Sequence, residues 1–218
     1  MKACIFDLDG TLTNTLESMT YSVNLTLKEM GLSQITKDQC RMFVGNGARV
    51  LIEESLKVSG DPKASRIEEG MKIYGRIFDQ NCTYHVTPYE GIPEMLKALK
   101  DRGIHLAVLS NKPDRQTVKV VKEIFGDNIF DYAQGQKDGI RRKPAPDTVN
   151  AVLRELHVDR ENAVYIGDSE VDLATADNAH MRHILVTWGF RDRSFLIEKG
   201  GKNIVDTMEE LEDAILNG

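Results

Sequence analysis

The 218-residue chain has only three cysteines, Cys4, Cys40 and Cys82, an odd number without paired spacing, so neither a disulfide framework nor a cysteine-based zinc site is implied. It lacks any apolar run of about 18 residues, which excludes a helical membrane span. No basic and apolar signal segment opens it, so the expected location is the cytoplasm. Positive charge is in short supply: 28 Lys and Arg against 34 Asp and Glu give a net charge of −6. That balance disfavours a nucleic-acid surface and leaves an anionic ligand dependent on local help. The five histidines, His85, His105, His157, His180 and His183, show no metal-ligand spacing, and strand-edge or surface places suit them. At 41% hydrophobic residues the chain can still bury a sizeable core.

What is present is a set of short apolar runs, each ending in chemically capable side chains. Ala3-Cys4-Ile5 leads into Phe6-Asp7-Leu8-Asp9-Gly10-Thr11-Leu12, a pattern that predicts a buried parallel strand delivering Asp7 and Asp9 to its carboxyl end. Residues two apart in extended chain point the same way, so the two carboxylates start on one side before Gly10 turns the backbone. Such a pair suits a metal ion; a lone Asp-x-Asp also suits a solvated turn. Leu106-Ala107-Val108-Leu109 runs into Ser110-Asn111, a hydroxyl and an amide that could hold a phosphate oxygen or simply begin a loop. Arg141-Arg142-Lys143-Pro144-Ala145-Pro146-Asp147 precedes the helical spacing Val149, Val152, Leu153, Leu156, which places Lys143 in extended chain at a helix mouth, as an anion-directed charge or as part of an exposed basic loop. Ala163-Val164-Tyr165-Ile166-Gly167 ends in Asp168, and Asp172 lies one helical turn further on.

The order of elements predicts an α/β fold with a parallel, Rossmann-like sheet. Helical spacing over 92–99, a strand at 104–109, helical spacing over 118–125, a strand at 162–166, a helix at 169–179, a strand at 183–187, a short strand near 203–205 and a helix at 207–216 alternate in the manner of right-handed crossovers. Residues 14–85 interrupt this order with no convincing strand. Leu16, Met19, Val23, Leu27 and Met30 form one helical stripe, and Val50, Leu51, Glu54 and Val58 suggest another. The expected division is therefore a core of residues 1–13 and 86–218 with an inserted α-helical cap at 14–85. Cys4 belongs to the expected core, and Cys40 and Cys82 to cap packing.

Asp7-x-Asp9-Gly10-Thr11, Ser110, Lys143-Pro144 and Gly167-Asp168-x-x-x-Asp172 resemble, in this order, the four signature motifs of the haloacid dehalogenase superfamily of phosphohydrolases. The resemblance implies Asp7 as nucleophile and Asp9 as acid and base. It also implies Ser110, Asn111 and Lys143 as phosphate ligands and Mg²⁺ as cofactor. The ion would be held by Asp7, Asp168 and the backbone carbonyl of Asp9, with Asp172 orienting its waters or Lys143. Asp9 also argues against carbon–halogen chemistry, because dehalogenases of the superfamily lack that second aspartate. An acid near neutral pH requires Asp9 to be buried or hydrogen-bonded in its protonated form.

In the insertion, Gly45-Asn46-Gly47-Ala48-Arg49 reads as a glycine-rich turn before a helix, and Val186-Thr187-Trp188-Gly189-Phe190-Arg191 follows a core strand. Both are similar to segments of phosphoglycolate phosphatases, and an Arg49 clamp on a substrate carboxylate would fit 2-phosphoglycolate; a plain inter-helix turn with a surface arginine reads equally well. Trp188 fits a packing role in its loop as well. Departures are Thr13-Asn14-Thr15, where relatives carry a hydrophobic residue, aspartate and serine, and His180, where a glycine often ends the fourth-motif helix. The expected partner is a small phosphorylated substrate, without nucleic acid or membrane, for a monomer or weak homodimer. Rival readings are a sugar-phosphate mutase resembling β-phosphoglucomutase, a pyrophosphatase, and a non-catalytic magnesium- and phosphate-binding module.

Overall fold

Residues 1–217 are described by a computed structural model. Strand β1 (Ala3–Phe6) is buried on both faces, and its residues alternate between two apolar layers as the two-residue period of a strand requires. Cys4 and Phe6 join the larger cluster, with Ile92, Met95, Leu96 and Leu99 of α5 (Ile92–Asp101), Val120 and Val121 of α6 (Asp114–Phe125) and Leu211 and Ile215 of α10 (Met208–Asn217). Ala3 and Ile5 face Val149, Val152 and Leu153 of α7 (Asp147–Glu155) and Ala176 of α8 (Glu170–Asn178). Helices on both faces account for the unbroken apolar runs of the central strands.

The sheet has the order β5-β4-β1-β6-β7-β8 and is parallel throughout, with β4 at His105–Pro113, β5 at Tyr132–Gln136, β6 at Ala163–Gly167, β7 at Arg182–Val186 and β8 at Ile204–Val205. Phe6 pairs with Val108 on one side and Ile166 on the other, which brings the carboxyl ends of β1, β4 and β6 level. The chain departs from β1 in one direction, to β4 and β5, and returns on the other side as β6. That reversal opens a crevice at the carboxyl ends of the strands.

Between β1 and β4 lie α1 (Leu16–Glu29), α2 (Lys37–Phe43), α3 (Ala48–Ser59) and α4 (Ile67–Asn81), with a two-stranded antiparallel pair, β2 (Thr13–Asn14) and β3 (Thr87–Pro88), where the chain leaves and rejoins the sheet region. The stripe Met19, Val23, Leu27 and Met30 is buried, as its helical spacing predicts, and Leu51, Ile52 and Leu56 of α3 join it. Val58 is exposed instead. Cys40 and Cys82 are buried in the same cluster, and all three thiols are free.

Three differences from the sequence expectations concern edges. β5 and α9 (Arg193–Glu198) were not expected; β5, Tyr-Ala-Gln-Gly-Gln, is a half-buried edge strand whose polar composition carries no apolar run. Residues 14–85 do contain a strand residue, Asn14 of β2. β4 continues four residues beyond Leu109, through a register shift against β5 between Leu109 and Pro113. His180 follows α8 with φ 53°, so it takes the left-handed position at which a glycine often ends a helix.

Candidate active site

Gly10, at φ +92°, turns the chain immediately after Asp9, and a Cβ there would collide with the Asp168 carboxylate. Gly189 is held bare by the same carboxylate and Gly167 by Asp172. The acidic groups therefore pack directly onto backbone. Asp7 and Asp168 stand at the ends of β1 and β6, and Asp172 is the third residue of α8. Carboxylate oxygens of Asp7, Asp168 and Asp172 lie within 4.8 Å of one another, and all three residues are buried.

Lys143 supplies the countercharge. Its ammonium donates to Asp7 Oδ1 at 2.6 Å, Asp172 Oδ1 at 2.8 Å, the Tyr165 hydroxyl at 3.0 Å and the Leu109 carbonyl at 3.1 Å. Burial alone would push this lysine down, but Asp172 and Asp7 hold it well above the ordinary lysine range, so it stays charged. Tyr165, in the middle of an apolar strand, looks like a core aromatic in the sequence. Its buried hydroxyl donates to Asp172 Oδ1 at 3.2 Å and accepts from Lys143.

Asp172 is occupied on both oxygens. Oδ2 accepts from the Ser169 hydroxyl at 2.6 Å and from the Ser169 and Asp168 amides at 3.2 and 3.3 Å, while the Ser169 hydroxyl in turn caps α8. Of the two sequence roles for Asp172, the geometry shows the one toward Lys143. Asp168 accepts from the Thr11 hydroxyl at 3.2 Å and the Phe190 amide at 2.7 Å, leaving each oxygen with room for another partner.

One lysine does not neutralise this group. Burial first, then Asp172, pushes Asp168 well above the usual carboxylate range. Burial also raises Asp7, to about 7, against the lowering influence of Lys143. Crowded hard oxygen donors short of positive charge are the environment a divalent cation suits.

Asp9 is the less deeply buried member, with 15% of its side chain exposed. Its Oδ1 accepts from the Lys112 ammonium at 2.5 Å, and the Lys112 side chain is 2% exposed. The sequence reading calls for an Asp9 held by burial or by hydrogen bonds to its protonated form, whereas the structure gives it an ion pair. The backbone shift in β4 explains how Lys112 gets there: Ser110, Asn111 and Lys112 occupy the irregular segment, and all three line the cleft. In the sequence Ser110-Asn111 reads as the start of a loop, and nothing in the pattern singles out the Lys112 that follows.

Two candidate ligands stand differently from the expectation. The Asn111 amide NH₂ donates to the Gly45 and Lys143 carbonyls, both at 3.1 Å, so its donors are spent on tying the insertion to the Lys143 loop; its Oδ1 has no partner among the described residues. Arg49 pairs with Glu68 at 2.6 Å on the surface, with 52% of its side chain exposed, and does not line the cleft. Its place at the start of α3 turns it toward α4 rather than toward Asp7. Ser110 does line the cleft, and its hydroxyl accepts from the Lys112 amide at 3.2 Å.

The cleft is roofed by Met19, Val44, Ala48, Leu51, Tyr74 and Phe78 from the insertion, opposite the acidic floor. Arg191 fastens roof to floor: it pairs with Glu170 at 3.0 Å and donates to the Arg41 and Val44 carbonyls at 2.9 and 3.0 Å. Trp188 donates its indole N–H to the Thr11 carbonyl at 3.1 Å, so it packs against the loop that follows β1.

With carboxylates at the ends of β1 and β6, a lysine between them and a hydroxyl on β4, the arrangement matches a known family over most of its length. The profile of the haloacid dehalogenase-like hydrolases fits residues 4–186. The chain belongs to that family. A phosphoglycolate phosphatase of Aquifex aeolicus is 31% identical over 190 residues, covering 87% of this chain and 86% of the relative. The crystal structure of a protein from Lactobacillus delbrueckii subsp. bulgaricus, provisionally named a phosphoglycolate phosphatase, superposes with a TM-score of 0.92 at 35% identity and covers 100% of this chain and 99% of its own. CbbY of Rhodobacter sphaeroides, solved in complex with phosphate, superposes with a TM-score of 0.80 at 28% identity, covering 97% of this chain and 96% of its own.

Proposed function

We propose that this chain is a Mg²⁺-dependent phosphatase that hydrolyses a small phosphate monoester, with 2-phosphoglycolate the best candidate. The observation that carries the reading is the buried ion triad: Lys143 at 2.6 Å from Asp7 and 2.8 Å from Asp172 beside an under-neutralised Asp168. A phosphate dianion needs more positive charge than one lysine supplies. Asp7, Asp168 and the Asp9 carbonyl would hold Mg²⁺, which would offset the repulsion between the ester's phosphoryl oxygens and the Asp7 carboxylate. The names and the phosphate complex of the relatives support the same class of substrate.

In this reading a carboxylate oxygen of Asp7 attacks phosphorus in line with the ester oxygen. The P–O ester bond breaks, its electron pair leaves with the alkoxide, and Asp9, freed from Lys112 and protonated from solvent as the cleft fills, delivers that proton to the oxygen. Water then attacks the aspartyl-phosphate, Asp9 takes its proton, and the bond to Asp7 breaks to release inorganic phosphate. Ser110 and Lys143 meet the non-bridging oxygens where charge builds. Asp172 and Tyr165 keep Lys143 aimed at Asp7. Helices α1 to α4 act as the cap of residues 14–85 and exclude bulk water, and Arg49 takes no part in the clamp. The enzyme works in the cytoplasm.

The test is phosphate release from a panel of 2-phosphoglycolate, pyrophosphate, hexose phosphates and nucleotides, with Mg²⁺ and with chelator. The expected result is Mg²⁺-dependent turnover with 2-phosphoglycolate foremost. No release from any ester would overturn the reading, and stimulation by a sugar bisphosphate with slow hydrolysis would favour the mutase.

A further inference from the structure

Three cationic side chains line the cleft, and two are committed to holding it together: Lys143 to Asp7 and Asp172, Arg191 to Glu170 and the Arg41 and Val44 carbonyls. The third is Lys112. Among the described residues its ammonium has a single charged partner, Asp9, and lies 5.1 Å from the centroid of Phe78, a roof residue of α4. An ammonium against an aromatic face and away from water is a strong attractor for a second anion. Beyond it the roof is apolar, with Met19, Leu51 and Tyr74, and offers no other charge. Arg49, the obvious alternative, is out of the cleft and paired with Glu68.

Position adds a length criterion. If Asp9 serves the ester oxygen, the ammonium that touches Asp9 stands within roughly two hydrogen-bond lengths, ~6 Å, of that oxygen. An anionic group one or two carbons from the ester oxygen reaches it, whereas the far phosphate of a longer sugar chain overshoots into the apolar roof. We propose that Lys112 is the specificity residue of this site: it holds Asp9 when the cleft is empty and takes the anionic tail of a short-chain phosphate monoester when the cleft is filled. The substrate class is thus two- and three-carbon esters with a carboxylate on the alcohol part. This rests on the phosphatase reading above.

The experiment compares 2-phosphoglycolate with ethyl phosphate, an ester of the same chain length without the carboxylate, in the wild type, Lys112→Met, Lys112→Gln and Lys112→Arg. The ratio of kcat/KM for the charged over the uncharged ester falls about 10- to 100-fold in Lys112→Met and Lys112→Gln, mainly through KM for 2-phosphoglycolate, as loss of a hydrogen bond between charged groups predicts. Lys112→Arg retains most of the ratio. Equal losses on both esters would overturn the proposal, and so would a collapse of the ratio in Arg49→Ala with Lys112 intact. If Lys112→Met does not fold, Lys112→Gln carries the comparison. Calorimetric binding of the two esters to Asp7→Asn, with and without the Lys112 substitution, separates this proposal from the phosphatase reading. If the wild type cleaves neither these esters nor any of the panel above, that reading falls. Tighter binding of 2-phosphoglycolate that disappears with Lys112→Gln still sustains the Lys112 assignment, and equal binding of both esters refutes it.

Discussion

Gly10 shows most directly how closely the site is built. Its φ of +92° disfavours any side chain, and the space a Cβ needs is filled by the Asp168 carboxylate. Gly10→Ala is therefore expected to cost at least about 2 kcal/mol, a fall in Tm of roughly 4–8 °C for a chain this long, and to remove turnover by displacing Asp168. Thermal unfolding and phosphate release measure the two effects, and an alanine variant with wild-type Tm and activity would contradict the packing described. Asp7, Ser110 and Asp168 were legible as candidates because each follows a strand-length apolar run, Asp172 because it begins a helix and Lys143 because it stands at a helix mouth, and the family resemblance singles them out as a set. Lys112 and Tyr165 were not. The first depends on a register shift that no residue pattern announces, and the second hides a polar tip inside an apolar strand.

Among the elements, the central strands and most helices could be read because burial on both faces or on one stripe leaves a periodic signal. β5 and α9 left none, one being a polar edge strand and the other six residues long. Contacts between insertion and sheet were equally invisible, because they join main-chain carbonyls to distant side chains. Arg191 is the clearest case, holding the C-terminal end of α2 by two hydrogen bonds and Glu170 by an ion pair. Arg191→Ala is expected to raise hydrogen exchange across residues 41–47 and to raise KM about threefold to tenfold, from the loss of roughly 1 kcal/mol of net hydrogen bonding. Unchanged exchange in that segment would show that the roof is held by its apolar contacts alone.

For the whole molecule, the site carries a stability cost that depends on pH. Asp7, raised from an ordinary carboxyl to about 7 by burial, keeps its proton in the folded chain over a range where the unfolded chain has lost it. Its favourable contribution is complete below about 4 and is lost as pH rises through about 7. Under the proposed function a divalent cation would take the place of that proton, so Mg²⁺ is expected to raise Tm more at pH 8 than at pH 5.5, with proton release on binding. Equal shifts at both pH values would mean that the metal does not bind at Asp7. No helix among the described residues is long and apolar enough to cross a membrane. The most direct measurement is acid-quenched labelling with ³²P-2-phosphoglycolate followed by peptide mapping. The account predicts Mg²⁺-dependent label on the peptide that contains Asp7 and none in Asp7→Asn; turnover without label on Asp7, or label retained in Asp7→Asn, would contradict it.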